Sequence, residues 1–434
     1  MNDGRIRHEP CGYMAIARWG DRVVAESVKA VRVDEPGQPP ALYFPLADVR
    51  LELFHDEGHR RTVPGKGTAS LWSIDPLPDN ASTAPGRTWG DGHPSGVDGN
   101  DVLWRFADPS PELSWLSDLA TFDQDRVRVE LVDRVDTDDD RDVTRKRFPI
   151  WGDADDLLDV LDVRPDGAGS YTSVAVGDHR RPVVEGSQML GQAIVAAGRH
   201  YPGRRTVSAH MVFTRAADAH LPLRFELEEL SGGRTFASVE VTVSQGGRRC
   251  ATGILLLDVV APDVIRHAAP PPVIPGPYES EPCDMSVMGR DIRVVDGVYT
   301  DDPDAPVGPP VIDAWVRFRH VPDDPYLHAA LLAQFTGHMS IAAALRPHAG
   351  IGQFAAHRTL STAINAIGIS LHGDVRADEW MLYRHESTFA GDGMTHSSCR
   401  VHDQNGHVLA SFVVDAMVRK FPDNSAAVDD RTAL

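Results

Sequence analysis

One carboxylate stands where a folded chain could use it for chemistry. Glu185 directly precedes Gly186-Ser187 and the start of a helical stripe. A carboxylate there can move a proton as a general acid or base. It can equally cap the helix, because acidic side chains are favoured at the positive end of the helix dipole. Nineteen histidines invite a metal reading. Yet His55 and His59, four residues apart, flank a turn-like Asp-Glu-Gly, and no H-E-x-x-H occurs. No G-x-S-x-G elbow is present. Pro64-Gly65-Lys66-Gly67 lacks the Lys-Ser/Thr ending with which a phosphate loop binds Mg²⁺. No metal and no cofactor are expected.

The elements that must position such groups follow from composition and periodicity. At 434 residues the chain exceeds one ordinary core, so two or three folded units are expected. A net charge of −20 repels phosphate backbones and anionic membranes, which argues against nucleic acid as a partner. A phosphate-bearing ligand would need a local basic patch or a helix N-terminus, and Arg204 and Arg205 beside a helix end are candidates. Cys11, Cys250, Cys283 and Cys399 lie far apart and suggest neither a zinc ribbon nor a disulfide framework. MNDGRIRHEP lacks the apolar core of a signal peptide, and the longest apolar run is too short to span a bilayer. A cytoplasmic protein is expected.

Three composition breaks divide the chain. Residues 76–100 read as a loop rich in Gly, Pro, Ser and Asp. Asp133–Asp142 is an acidic run, and with its flanks it suggests a solvated connector over 126–164. Ala261–Pro282 holds seven prolines, a density that favours an extended tether, so a linker is expected over 261–284. Residues 12–125 read as a small β domain, with strands over Arg22–Arg32, Ala41–Phe44 and Val49–Phe54. Residues 165–260 open with a helix carrying Met189, Leu190, Ala193, Ile194 and Ala197 on one buried face. Ser187 is its expected N-cap and Tyr201-Pro202-Gly203 its end. Four strand-like runs follow, joined by Ser231-Gly232-Gly233 and Gln245-Gly246-Gly247 hairpin signals. Residues 285–422 repeat the order: a helix over Pro325–Leu345, then four strands with Asn405-Gly406 as a type I′ signal. Shifted by 160 residues, GRTFASVEVTVSQGG from Gly233 aligns without a gap on GMTHSSCRVHDQNGH from Gly393. Glycines coincide at both turns, which periodicity alone does not require. An internal duplication is the better reading.

These segments carry a family resemblance. EGSQMLGQAIVAAGR, HMVFTRAADAHLPLRFELEEL and GRTFASVEVTVSQGGR resemble the first half of a type II acyl-CoA thioesterase. IDAWVRFR, PDDPYLHAALLAQFTGH, ISLHGDVRADEWMLYRHEST and GHVLASFVVDAMVR continue it. The resemblance implies an α+β fold, a double hotdog in which each repeat wraps an antiparallel sheet around a central helix. It implies hydrolysis of an acyl-CoA, or a related acyl thioester, to free acid and thiol. Two hotdogs in one chain mimic a dimer of single ones, so the chain is either self-sufficient or forms a homo-oligomer. The β domain before them, through RVVAESVKAVRV, YFPLADVRLELF and TVPGKGTASLWSI, resembles a bacterial domain of unknown function sometimes classed as nucleotidyltransferase-like. Tyr43, Lys66, Trp72 and Trp104 in it are either a ligand site or core.

In the family, an Asp, a Thr and a Gln hold the attacking water. Carried over, the Asp position falls on His338 (or Gly337), the Thr on Ile364 and the Gln on Val414. None is retained. His338 can replace the carboxylate, since imidazole titrates near neutral pH, or it is a packed or surface histidine. Thr362 keeps the parity of Ile364 but lies about 7 Å along the strand. Asp415 neighbours Val414 but should point to the opposite face. Glu185 occupies a position that other hotdog enzymes use. Gln188 matches a helix glutamine of the family and either meets the thioester or supports packing. With Ile364 and Val414 lining the site, three outcomes stand open. These are a thioesterase acting through His338 or Glu185, an acyl-CoA or acyl-lipid binder without hydrolysis, and a hotdog hydratase or dehydratase using a His/carboxylate pair such as His179 or His338 with Glu185.

Overall fold

The helix-then-meander pattern is realised twice in the computed structural model. It describes residues 6–11, 13–20, 22–34, 41–76, 99–124, 126–134, 152–174, 183–283, 287–288, 290–300, 302, 304–319, 321–356 and 359–421. The first repeat comprises α1 (Gly186–His200), β1 (Arg205–Phe213), β2 (Arg224–Gly232), β3 (Phe236–Gln245) and β4 (Arg248–Asp258). The second comprises β5 (Val311–Phe318), α2 (Pro325–Phe335), α3 (Ser340–Leu345), β6 (Leu360–Leu371), β7 (Met381–Gly391), β8 (Met394–Asp403) and β9 (Val408–Lys420). Their strands run β2-β3-β4-β1-β6-β9-β8-β7-β5 within one antiparallel sheet. The order reads as a palindrome about the β1–β6 pair. This is the double hotdog the duplicated sequence demands.

Every residue of α1 from Ser187 to Gly198 is buried, not one face alone. The sheet covers one side and α2 the other, and glycine sets how closely the two helices approach. A β-carbon at Gly191 would fall 2.9 Å from Ala330 O and 3.0 Å from Leu161 Cδ2. Gly191→Val is therefore expected to overpack the helix pair by about 1–3 kcal/mol, read as a lower urea midpoint with unchanged slope.

Several expectations change at the level of single turns. The N-cap of α1 is Glu185, and Ser187 lies inside the first turn. The helix expected over Pro325–Leu345 is broken: α2 ends at Phe335 and α3 begins at Ser340, with Met339 at φ 64°. The Asn405-Gly406 hairpin is not type I′. Its Gln404–His407 loop is held by Asp403, whose Oδ1 accepts from Asn405 N and His407 N. The tight turn is instead at Asp392-Gly393, where both residues have positive φ. The connector expected over 126–164 contains a strand, Arg128–Arg134, and a helix, Ala154–Leu161. Leu157 and Leu161 of that helix enter the hotdog core, a burial that the acidic composition concealed. The Pro-rich stretch is extended and pinned, with Trp315 Nε1 donating to Pro275 O.

The N-terminal unit is mainly β, as expected, but Val49–Phe54 forms 3₁₀ turns before a two-residue strand. Lys66 is buried and donates to Tyr43 Oη at 2.8 Å, on the sheet face that also holds Phe106 and Trp104. Trp72 packs on the other face, so the four residues proposed as one ligand site are split. His55 and His59 pair separately, with Asp75 and Asp101.

Candidate active site

The break between α2 and α3 places His338 beside the start of α1. Glu185 has extended backbone angles (φ −69°, ψ 140°) and its carboxylate makes no capping bond. It turns inward instead. Gln334, one helical turn before His338, donates its amide to Glu185 Oε2 at 3.1 Å. The same amide nitrogen lies 3.3 Å from His338 Nε2, and His338 Nε2 lies 3.7 Å from Glu185 Oε2. Both ionisable side chains are only about a tenth exposed, 10% for Glu185 and 11% for His338. In the tautomer with its proton on Nδ1, His338 Nε2 accepts from this amide. Once protonated, its N–H faces the carboxylate. An imidazole and a carboxylate held this close are groups that can move a proton.

Of the positions carried over by resemblance, Gly337 (the alternative to His338) and Ile364 lie together: a β-carbon at Gly337 would lie 3.5 Å from Ile364 Cδ1. Val414 is buried on β9, opposite Ile367 and Ser397. Thr362 is buried two residues before Ile364. Gln188 is buried with its Oε1 lacking a partner. Asp415 points the other way and pairs with His396 Nδ1 at 2.7 Å on an exposed surface, away from the trio. Arg204 and Arg205 lie past the far end of the 15-residue α1, about 20 Å from Glu185 by helix rise. Arg205 is also matched by Asp258 at 2.9 Å. The structure thus brings neither arginine to the trio. His179 lies outside the described residues.

Deeper in the second repeat, His385 Nδ1 meets Ser340 Oγ at 3.0 Å, with Cys399 Sγ at 3.8 Å from the same nitrogen. Burial, reinforced by His338 nearby, pushes the His385 pKa down to about 3, and burial raises the Cys399 thiol to about 12. Neither is a base or nucleophile at neutral pH. Sequence reasoning missed Gln334, which reads as one more position on a buried helix face.

The palindrome supplies an internal control. Asp324 is the N-cap of α2 as Glu185 is of α1, and Arg199 follows Glu185 by fourteen residues as His338 follows Asp324. Arg199 pairs with Asp324 at 3.5 Å and also with Asp162. Asp324, unlike Glu185, caps its helix by accepting from Tyr326 N and Leu327 N. Gln334 is matched by Val195. One of the two equivalent corners is an ion-paired clamp, and at the other His338 takes the place of the arginine.

The paired helix-plus-meander repeats in one continuous antiparallel sheet define a double hotdog of the kind seen in thioesterase structures. Residues 178–257 match the acyl-CoA thioesterase N-terminal domain and residues 268–418 the acyl-CoA thioesterase C-terminal domain. Through these residues the chain belongs to the acyl-CoA thioesterase family. Residues 7–133 match a domain of unknown function, DUF427. Human acyl-coenzyme A thioesterase 8 is 26% identical over 267 residues, 55% of this chain and 82% of that protein. The acyl-CoA thioesterase II TesB2 of Mycobacterium marinum is 25% identical at a TM-score of 0.52, covering 62% of this chain and 99% of its own. The tesB protein of Mycobacterium avium subspecies paratuberculosis is 22% identical at the same TM-score, covering 61% and 98%. Among the described residues no helix is long and apolar enough to cross a membrane.

Proposed function

We propose that the chain hydrolyses acyl-CoA thioesters with His338 as general base, oriented by Gln334 and charge-matched by Glu185. The observation that carries this reading is the single Gln334 amide nitrogen within hydrogen-bond reach of both Glu185 and His338. A water displaces the amide from His338 Nε2, gives that nitrogen a proton and attacks the thioester carbon. The carbonyl π pair moves to oxygen, forming a tetrahedral alkoxide. Collapse of the alkoxide breaks the C–S bond, and the thiolate takes the proton back from His338. Acid and CoA thiol leave, and the imidazole is neutral again. Glu185 stabilises the transient imidazolium.

Incubation of the purified chain with acyl-CoAs of two to eighteen carbons, with free thiol followed by a chromogenic disulfide, tests the reading. Release of stoichiometric thiol is expected for at least one chain length. Acyl-CoA binding without thiol release would mean that Ile364 and Val414 have closed the water site and left a binder. The same carboxylate–imidazole pair also suits addition of water across an enoyl thioester. Loss of enoyl absorbance without thiol would assign the chain to that chemistry.

A further inference from the structure

Resting on the hydrolytic reading, we propose that the hydroxyl of Ser187 holds the thioester carbonyl oxygen, donating to it from the first turn of α1. Ser187 is fully buried, and its Oγ has no hydrogen-bond partner among the described residues. A buried hydroxyl left unpaired costs about 1–3 kcal/mol, so a partner in the working protein is to be expected. The hydroxyl packs closely on the backbone of one corner, at Gly337. A β-carbon at Gly337 would fall 2.3 Å from Ser187 Oγ and 3.5 Å from Ile364 Cδ1. That corner lies between the two positions at which the family resemblance places the carboxylate and the hydroxyl.

The clamped corner shows what a closed version looks like. There Tyr326 is the second residue after the N-cap, as Ser187 is here, and Gly198 stands for Gly337. A β-carbon at Gly198 would fall 2.3 Å from Tyr326 Cδ1, so the aromatic ring fills the space against that glycine. At the other corner Ser187 approaches Gly337 equally closely, but the atom presented there is a hydroxyl oxygen rather than a ring carbon. Ser187 also sits in the first turn of α1, where backbone N–H groups have no acceptor within the helix and favour negative charge. As the carbonyl becomes an alkoxide, the Ser187 O–H bond stays intact and its hydrogen bond strengthens.

The test is steady-state thiol release by the full chain, Ser187→Ala and Ser187→Ala/Ile364→Thr, with melting curves to establish that each is folded. Ser187→Ala is expected to lower kcat by about 10- to 100-fold, at or below the range for a strong oxyanion donor, with KM changed less than about twofold. The second variant, which places a hydroxyl on the strand side of the corner, is expected to recover part of that loss. A rise in KM with kcat unchanged would assign Ser187 to packing and overturn the proposal. Unaltered kinetics in Ser187→Ala, while His338→Ala is inactive, would overturn it and leave the hydrolytic reading standing. Absence of turnover by the unmodified chain on every acyl-CoA would overturn both.

Discussion

Replacing His338 by alanine is expected to lower kcat for thioester hydrolysis by about 10²- to 10⁴-fold, the range for a lost general base, with little change in KM. The size follows from neither His385 nor Asp415 being placed to take over from His338. His385 is held neutral at about pKa 3 by burial and is occupied by Ser340. Asp415 is committed to His396 on the exposed surface. Glu185→Gln should act in the same direction but by about tenfold, because it removes the counter-charge and keeps an oxygen for the Gln334 amide. His338→Ala also removes a largely buried ring packed on Phe335, so melting curves are needed to show that each variant is folded. The measurement is kcat and KM by thiol release, and retention of full activity in His338→Ala would move the chemistry to Glu185.

Acid should destabilise the fold steeply, and His385 should be a leading cause. Its folded pKa of about 3 lies below the ordinary histidine value of 6.5, so the unfolded chain binds the proton first. The neutral ring's stabilising contribution is therefore complete above pH 6.5 and is lost as pH falls toward 3. One such proton corresponds to about 1.4 kcal/mol per pH unit. His328, His372 and His402 are lowered by burial as well and add to the slope. Urea unfolding at pH 7.0, 5.5 and 4.5 should show His385→Gln losing about 1.4 kcal/mol less per unit than the parent below pH 6.5. Parallel curves for the two chains would show that His385 is not buried neutral.

The repeat was legible because turns carry glycines that burial does not require, and Gly233/Gly393 and Gly246/Gly406 recur at one offset. Strand order around β1 and β6 then follows from joining two such units. What lay beyond reading was the interruption of the second helix. The apolar pattern runs on through Leu345, and the left-handed Met339 belongs to packing at Gly337 against Ser187, contacts between residues 150 apart. For the same reason Glu185 read as a cap. A local signal favours that role, and only the opposing helix supplies the amide that draws the carboxylate inward. Ser187 was misread in the complementary way, since a serine at a helix start suits an N-cap, whereas here it is one of a pair of equivalent positions with Tyr326.

The matched corners bear on how such a protein can change over generations. In a dimer of identical single repeats, every substitution strikes two sites at once, and a change that strengthens one as a clamp would disable both. Covalent fusion removes that constraint. Arg199 and Asp324 could settle into an ion pair while Glu185 and His338 stayed apart from capping, each half diverging under its own selection. Under the proposed function, one acyl thioester is expected per chain, at the Glu185–His338 corner.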